Sequence, residues 1–237
     1  MNKKKVILSV LGAICVALVA GCITHTAAEA KKPSPVPEGK PTAAPTGEGW
    51  VNLLDAQHEA AWKNITDKKN LFELKDGVLH IFGCKDSGLR YAGYTAEDFG
   101  DFDLHVEFKV AKAANSGVFL RAQPEGSAYR GFEIQVQDDF GAPPDKNTCG
   151  AVYDVVSPMF NMCRPAGEWN SFDISVQGGK VIVIMNGWKV IDTDFALMTK
   201  PIGKFKVPYA GMPAKGKITL QDHHGETWYR NIVVKKK

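Results

Sequence analysis

The chain has 237 residues, with 29 Lys and Arg against 26 Asp and Glu, giving a formal net charge of +3. Its three surplus cations are Lys3, Lys4 and Lys5, so that without residues 1–21 the basic and acidic side chains balance at 26 each (29 − 3 = 26). A balanced chain carries no basic footprint for nucleic acid or for an anionic membrane surface, which excludes those two classes of partner.

The first element is the N-terminal segment. The three lysines precede an apolar run from Val6 to Ala20 and then Gly21-Cys22, the layout of a secretory signal peptide over residues 1–21. The run is too short for a membrane span. Leu18-Val19-Ala20-Gly21-Cys22 resembles the lipobox of bacterial lipoproteins, which makes Cys22 the lipidated residue and the lipid anchor the route to the membrane. Ile23 stands where an acidic residue would favour inner-membrane retention, so the expected address is the cell envelope, with the outer membrane favoured. Residues 22–48 contain Pro33, Pro35, Pro37, Pro41 and Pro45 without apolar periodicity, and read as a tether with polyproline II character.

Residues 49–237 are one domain's worth of chain. Strand-like runs fall at Phe72–Leu74, Val78–Phe82, Phe102–Val110, Gly117–Ala122, Phe132–Gln137, Phe172–Gln177, Lys180–Met185, Lys189–Asp192, Lys217–Gln221 and Tyr229–Lys235. Asp76-Gly77, Asn115-Ser116-Gly117, Gly178-Gly179, Asn186-Gly187 and His224-Gly225 punctuate them as turn signals, and Asn186-Gly187 is a hairpin signal. Only Ala56–Trp62 and Ala196–Met198 have a helical look. Many short strands and few helices predict an all-β sandwich of antiparallel sheets.

Several strands divide into an apolar and a polar face. Phe132, Ile134 and Val136 alternate with Glu133, Gln135 and Gln137, and Gln137 stands exposed at the strand's end. Phe102, Leu104, Val106, Phe108 and Val110 oppose Asp103, His105, Glu107 and Lys109. Val118, Leu120 and Ala122 oppose Gly117, Phe119, Arg121 and Gln123, while Ile218 and Leu220 oppose Thr219, Gln221 and His223. Period alone leaves these as the wet faces of antiparallel sheets. Their residue types, a guanidinium fork, carboxylates, amides and imidazole, are those of polar recognition. If the strands are neighbours, Glu107, Arg121, Glu133, Gln135, Gln221 and His223 share one face.

Acid- and His-rich loops flank that face: Asp138-Asp139-Phe140-Gly141 and Asp222-His223-His224-Gly225-Glu226. Asp138 fits a site or a turn cap equally well. Consecutive strand residues point to opposite faces, so His223 and His224 do not chelate one ion without a turn between them. No Gly-rich nucleotide fingerprint, P-loop or G-x-S-x-G is present, so no nucleotide cofactor is expected. A divalent metal at His223 or His224 stays open. Of the cysteines, Cys84, Cys149 and Cys163 lie in the domain; Cys149 and Cys163 are the nearest pair in sequence for a disulfide, and the free state stays open too.

One ordered series runs through the domain: Asn115-Ser116-Gly117-Val118-Phe119-Leu120-Arg121, Gly131–Val136, Gly150-Ala151-Val152-Tyr153, Gly167-Glu168-Trp169-Asn170, Asn186-Gly187, the segment Gly216–Gly225, and Tyr229-Arg230-Asn231-Ile232. Over about residues 49–235 it resembles the 3-keto-disaccharide hydrolase family. The resemblance implies a concanavalin-like jelly-roll sandwich with a concave glycan-binding face. It also implies an oligosaccharide or keto-sugar substrate already oxidised at C3 by a partner sugar 3-oxidoreductase. Such chemistry needs a base for the C2 proton, a stabiliser of the enolate oxygen and an acid for the leaving group. On that reading Glu133 is the base, Arg121 the anion or ketone binder, and His223 or His224 the acid or a metal ligand. Gln135, Glu107 and Gln221 hold sugar hydroxyls, with Tyr153 near the rim and Asp138 beside it. The alternative is a non-catalytic carbohydrate-binding surface lipoprotein, which the same fold would serve.

Overall fold

Phe102, Leu104, Val106, Phe108 and Val110 all point into one core and are essentially inaccessible to solvent. They belong to a computed structural model that describes residues 38–66, 71–83, 89–123, 131–203 and 206–237. The signal segment, Cys22, the tether up to residue 37 and Cys84 lie outside the described residues.

The described strands are β1 (Trp50–Asn52), β2 (Trp62–Asn64), β3 (Phe72–Lys75), β4 (Val78–Ile81), β5 (Arg90–Tyr94), β6 (Phe102–Val110), β7 (Asn115–Ala122) and β8 (Phe132–Gln137). They continue with β9 (Trp169–Gln177), β10 (Lys180–Met185), β11 (Trp188–Asp194), β12 (Pro201–Ile202), β13 (Val207–Pro208), β14 (Lys217–Asp222) and β15 (Thr227–Lys236). An eight-stranded sheet runs β11-β10-β9-β6-β15-β4-β3 with β1 beside β15, and a five-stranded sheet runs β2-β5-β14-β7-β8. The pairings are antiparallel, as in β6 against β15 and β7 against β8.

The two sheets bury one face each against the other. From the five-stranded sheet come Val118, Leu120, Phe132, Ile134, Val136, Ile218 and Leu220, in the same cluster as the β6 residues. This is an all-β jelly-roll-type sandwich of two antiparallel sheets. Among the described residues the helical content is confined to short 3-10 turns such as Glu59–Ala61 and Phe195–Leu197. The expected helix over Ala56–Trp62 stops early because Trp62 starts β2, where its indole N–H donates to Leu53 O at 2.8 Å.

Asn186-Gly187 makes the β10–β11 hairpin with φ +50° and +84°, the pair of positive angles that a two-residue type I′ turn requires. Asn186 also accepts from Ser171 N (2.8 Å) and donates to Met162 O (2.7 Å) and Asn170 Oδ1 (2.8 Å) while 1% exposed. Replacing Asn186 with Ala strands those buried partners and puts at positive φ a residue that lacks the local side-chain hydrogen bonding by which Asn tolerates that region. It should lower stability by about 2–4 kcal/mol, read as a melting temperature lower by roughly 5–15 °C.

The tether does not stay free up to residue 48. Lys40 N donates to Asn186 O, Thr42 N to Ser171 Oγ (2.8 Å), Thr42 Oγ1 to Asp173 Oδ2 (2.6 Å), and Arg164 Nη1 to Gly39 O. The proline spacing had hidden this because polyproline II backbone, with no internal hydrogen bonds, is free to bond to a neighbour.

Candidate active site

The outward face of the five-stranded sheet carries the polar set. On β14, Ile218 and Leu220 point to the core, so Thr219 and Gln221 face out; on β7 and β8 the same alternation puts out Gly117, Phe119, Glu133 and Gln135. Register then aligns them across strands. Glu133 sits opposite Phe119 and Phe119 opposite Thr219, while Gln135 sits opposite Gly117. Gln221 pairs with Tyr91 of β5.

Leu89, Asn115, Glu133, Gln135, Tyr153, Gln221 and His223 line one recess of about 30 Å³. Its floor depends on a missing side chain. A Cβ on Gly117 would stand 2.1 Å from Glu133 Oε1, so the carboxylate lies directly over the glycine backbone. Tyr153 reaches the recess because its own segment runs along the free edge of β8. Gly150 N donates to Gln135 O (2.9 Å), Gln135 N to Ala151 O (3.0 Å) and Tyr153 N to Glu133 O (3.0 Å). Beside the recess Tyr91 and Phe119 meet edge to face at 5.2 Å, with Ile65 and Leu89 packed on them. An apolar wall next to a row of amides suits a sugar, which has a C–H face and a rim of hydroxyls.

Among the described residues, Oε1 of Gln135, Oδ1 of Asn115 and Oγ1 of Thr219 are buried without a hydrogen-bond partner. An orphaned buried acceptor is costly, which makes these groups ready partners for hydroxyl donors of a ligand. Asn115 and Gln135 share the recess with Glu133, and oxygen donors of this kind suit a hard divalent cation. Tyr209 is 4% exposed. Burial first, then the charges of Asp154 and Glu133, push its hydroxyl up to about 12, so it stays protonated at neutral pH.

The structure brings Glu133, Gln135, Gln221, His223 and Tyr153 to one wall. It adds Asn115, whose stretch reads as a turn in the sequence. Gln137 is no loose strand end: it accepts from Gln135 Nε2 (3.3 Å) and donates to Asp139 Oδ2 (2.9 Å).

Other expected members lie elsewhere. Arg121 has φ +52°, which breaks the alternation and turns its side chain off the sheet face. Its guanidinium donates to Gly100 O (3.0 Å), Gly178 O (2.8 Å) and Asp101 Oδ1 (3.0 Å), tying loops together, and Ala122 takes the outward place beside Phe119. Replacing Arg121 with Met should therefore destabilise the fold by about 2 kcal/mol and leave kcat within a few-fold. Thermal melting and steady-state kinetics on the same sample separate the two effects.

Glu107 belongs to β6 in the other sheet, where it accepts from Arg230 Nε (2.7 Å) and Asn231 Nδ2 (2.6 Å). Nearby His105 Nδ1 pairs with Asp173 Oδ1 at 2.7 Å. Asp138 Oδ2 accepts from Ala113 N (2.8 Å), capping the turn before β7. His224 is exposed, and its backbone exchanges hydrogen bonds with Asn115. Because β14 ends at Asp222, the alternation lapses, and the His223 and His224 rings stack at 4.3 Å instead of opposing.

Residues 49–235 match the model of the 3-keto-alpha-glucoside-1,2-lyase-like domain. A 3-keto-disaccharide hydrolase of Bacteroides thetaiotaomicron is 26% identical over 228 residues, which cover 79% of this chain and 78% of that protein. Two solved structures from Parabacteroides distasonis, provisionally assigned as glycosyl hydrolases, are also similar. One has a TM-score of 0.66 at 27% identity, covering 79% of this chain and 99% of the other. The second has 0.68 at 24%, covering 80% and 95%. The carbohydrate-binding module CBM66 of Bacillus subtilis, with a TM-score of 0.53 at 10% identity over 74% of this chain and 96% of its own, shares the fold. A polar recess on an antiparallel β-sandwich and a match over nearly the whole domain agree: the chain is a glycosidic-bond-cleaving enzyme that belongs to the 3-keto-alpha-glucoside-1,2-lyase-like domain family.

Proposed function

We propose that this protein cleaves 3-keto-disaccharides or related 3-keto-glycosides by taking the C2 proton, eliminating the C1 oxygen and adding water back. The observation that carries this reading is the Glu133 carboxylate seated over Gly117 in a recess shared with the buried amide oxygens of Asn115 and Gln135, which have no hydrogen-bond partner. A C3 ketone acidifies the C2–H bond, so a single carboxylate suffices as base. Ordinary glycoside hydrolysis instead needs two carboxylates flanking the bond, and among the described residues that line this recess Glu133 is the one carboxylate.

Glu133 takes the C2 proton and the electrons move into the C2–C3 bond and onto the C3 oxygen. The amide N–H groups of Asn115 and Gln221 donate to that oxygen. The enolate then collapses, expelling the C1 oxygen, and His223 supplies the proton that leaves with the alcohol. Water adds at C1 of the resulting enone and a proton returns to C2, giving the 3-keto monosaccharide. A divalent cation held by Glu133, Asn115 and Gln135 would polarise the C3 carbonyl. The Tyr91–Phe119 wall meets the C–H face of the sugar.

The substrate implies a sugar 3-oxidoreductase upstream. The Lys3–Cys22 segment supports an address in the cell envelope, held by lipid on Cys22. The function is tested by incubating the protein with a 3-keto-disaccharide and with its unoxidised parent. Monosaccharide release from the keto-sugar alone is the expected result. Binding of both sugars without release would make the protein a carbohydrate-binding lipoprotein.

A further inference from the structure

Behind Gln137 lies a cluster that the proposed reaction does not use. The Sγ atoms of Cys149 and Cys163 and a carboxylate oxygen of Asp139 lie within 4.8 Å of one another. Both cysteines are free thiols, 0% and 5% exposed. The Cys163 thiol has two backbone acceptors in reach, Gln137 O (3.5 Å) and Arg164 O (3.4 Å), and lies beside both Cys149 and Asp139. Asp139 is held in place by N–H donors on every side: Gln137 Nε2 (2.9 Å), Cys149 N (2.7 Å) and Asn161 Nδ2 (3.2 Å).

We propose that Cys149 and Cys163 are a modification site, a dithiol that closes to a disulfide with Asp139 as its proton acceptor, and that the bridge fixes the segment carrying Tyr153 against β8. Burial raises the affinity of Asp139 for a proton, which suits a base buried beside thiols. Burial and the neighbouring Cys163 likewise push the Cys149 thiol well up, so Cys149 reacts second. Cys163, the less buried of the two, meets the oxidant, a small-molecule or protein disulfide. It gives its proton to Asp139, and its sulfur attacks the external disulfide, breaking that S–S bond and releasing one thiol. Cys149 then attacks the Cys163 sulfur and releases the second thiol. The dithiol loses two electrons and two protons, and the oxidant becomes two thiols.

The position gives the bridge its consequence. Cys149 is followed directly by Gly150, Ala151 and Tyr153, whose backbones bond along β8. Cys163 sits on the far side of the loop, next to Arg164, whose backbone N–H donates to Asn170 Oδ1. A covalent link between the two closes that loop and reduces the freedom of the Tyr153 segment.

The full chain, with five cysteines, is incubated with reductant or with oxidised glutathione, denatured, alkylated and weighed intact, then peptide-mapped. The expected result is two fewer alkylations after oxidation and a peptide linking 149 to 163. The melting temperature should rise by several degrees, reversibly on reduction. Cys163→Ser abolishes both changes while melting like the reduced parent. Asp139→Asn slows closure roughly tenfold at neutral pH with the same final link, and closure at the parental rate removes Asp139 from its role. Unchanged alkylation, a lasting glutathione adduct without the link, or linkage through Cys84 overturns the proposal. None of these readouts involves a sugar, so they stand apart from the test of the reaction.

Discussion

Replacing Glu133 with Gln should lower turnover of a 3-keto-disaccharide by roughly 10³-fold, the scale of a lost general base, while the melting temperature stays within a few degrees. Gln keeps the shape that fills the space over Gly117 and removes only the charge and the proton-accepting oxygen. KM should change little, because the recess still offers Asn115, Gln135 and Gln221 to the sugar. The effect must therefore appear in kcat. Retained turnover would take Glu133 out of the base role even if cleavage itself is real.

The second large effect tests position rather than chemistry. Gly117→Ala places a Cβ 2.1 Å from Oε1, 2.8 Å from Cδ and 2.9 Å from Cγ of Glu133, so the carboxylate must move. Gly117 does not adopt a positive φ, and a strand accepts Ala there without backbone strain. Stability should hold or rise slightly while kcat falls by roughly 10²-fold, as a displacement of about 1 Å at a reacting group costs. Kinetics and melting on one preparation tell this from general damage. Combining Gly117→Ala with Glu133→Gln should cost little more than Glu133→Gln alone, since both act through one carboxylate.

Much of the fold was legible in the sequence because a strand's period of two is local information. The alternation of Phe132, Ile134 and Val136 with Glu133 and Gln135 survives intact in β8, and Asn186-Gly187 turns where its residue types require. Two things were not local. Sheet membership put β6, and with it Glu107, on the opposite layer from β7 and β8. The left-handed backbone of Arg121 itself, next to the end of β7, turned its side chain away from the face its spacing suggested. The recess also holds Asn115, at the head of β7, whose neighbourhood reads as a turn until the pairing with His224 is seen. The polar lining of the site is thus drawn from three strands, β7, β8 and β14, with His223 just past β14 and the segment carrying Tyr153, and only the strands with clear alternation declared themselves.

The decisive glycine is a different case. Gly117 stands in a stretch that reads as a turn followed by a strand, and nothing in the spacing says that its bare Cα is a seat for Glu133. That fact comes from register, since Gly117 lies opposite Gln135 and beside the Phe119–Glu133 pair. Conversely, buried His105 and Glu107 with half-exposed Asp173 and Arg230 look like a catalytic constellation by composition, but serve to knit β6, β9 and β15 together.

Elimination and ordinary hydrolysis give the same sugars from the same substrate, and the hydrogen at C2 distinguishes them. Cleavage should therefore be run in D2O, with the 3-keto monosaccharide analysed at early turnover against an enzyme-free control. Proton removal by Glu133 followed by hydration places one solvent deuterium at C2 of every product molecule. Product that keeps its original hydrogen at C2 would contradict the account.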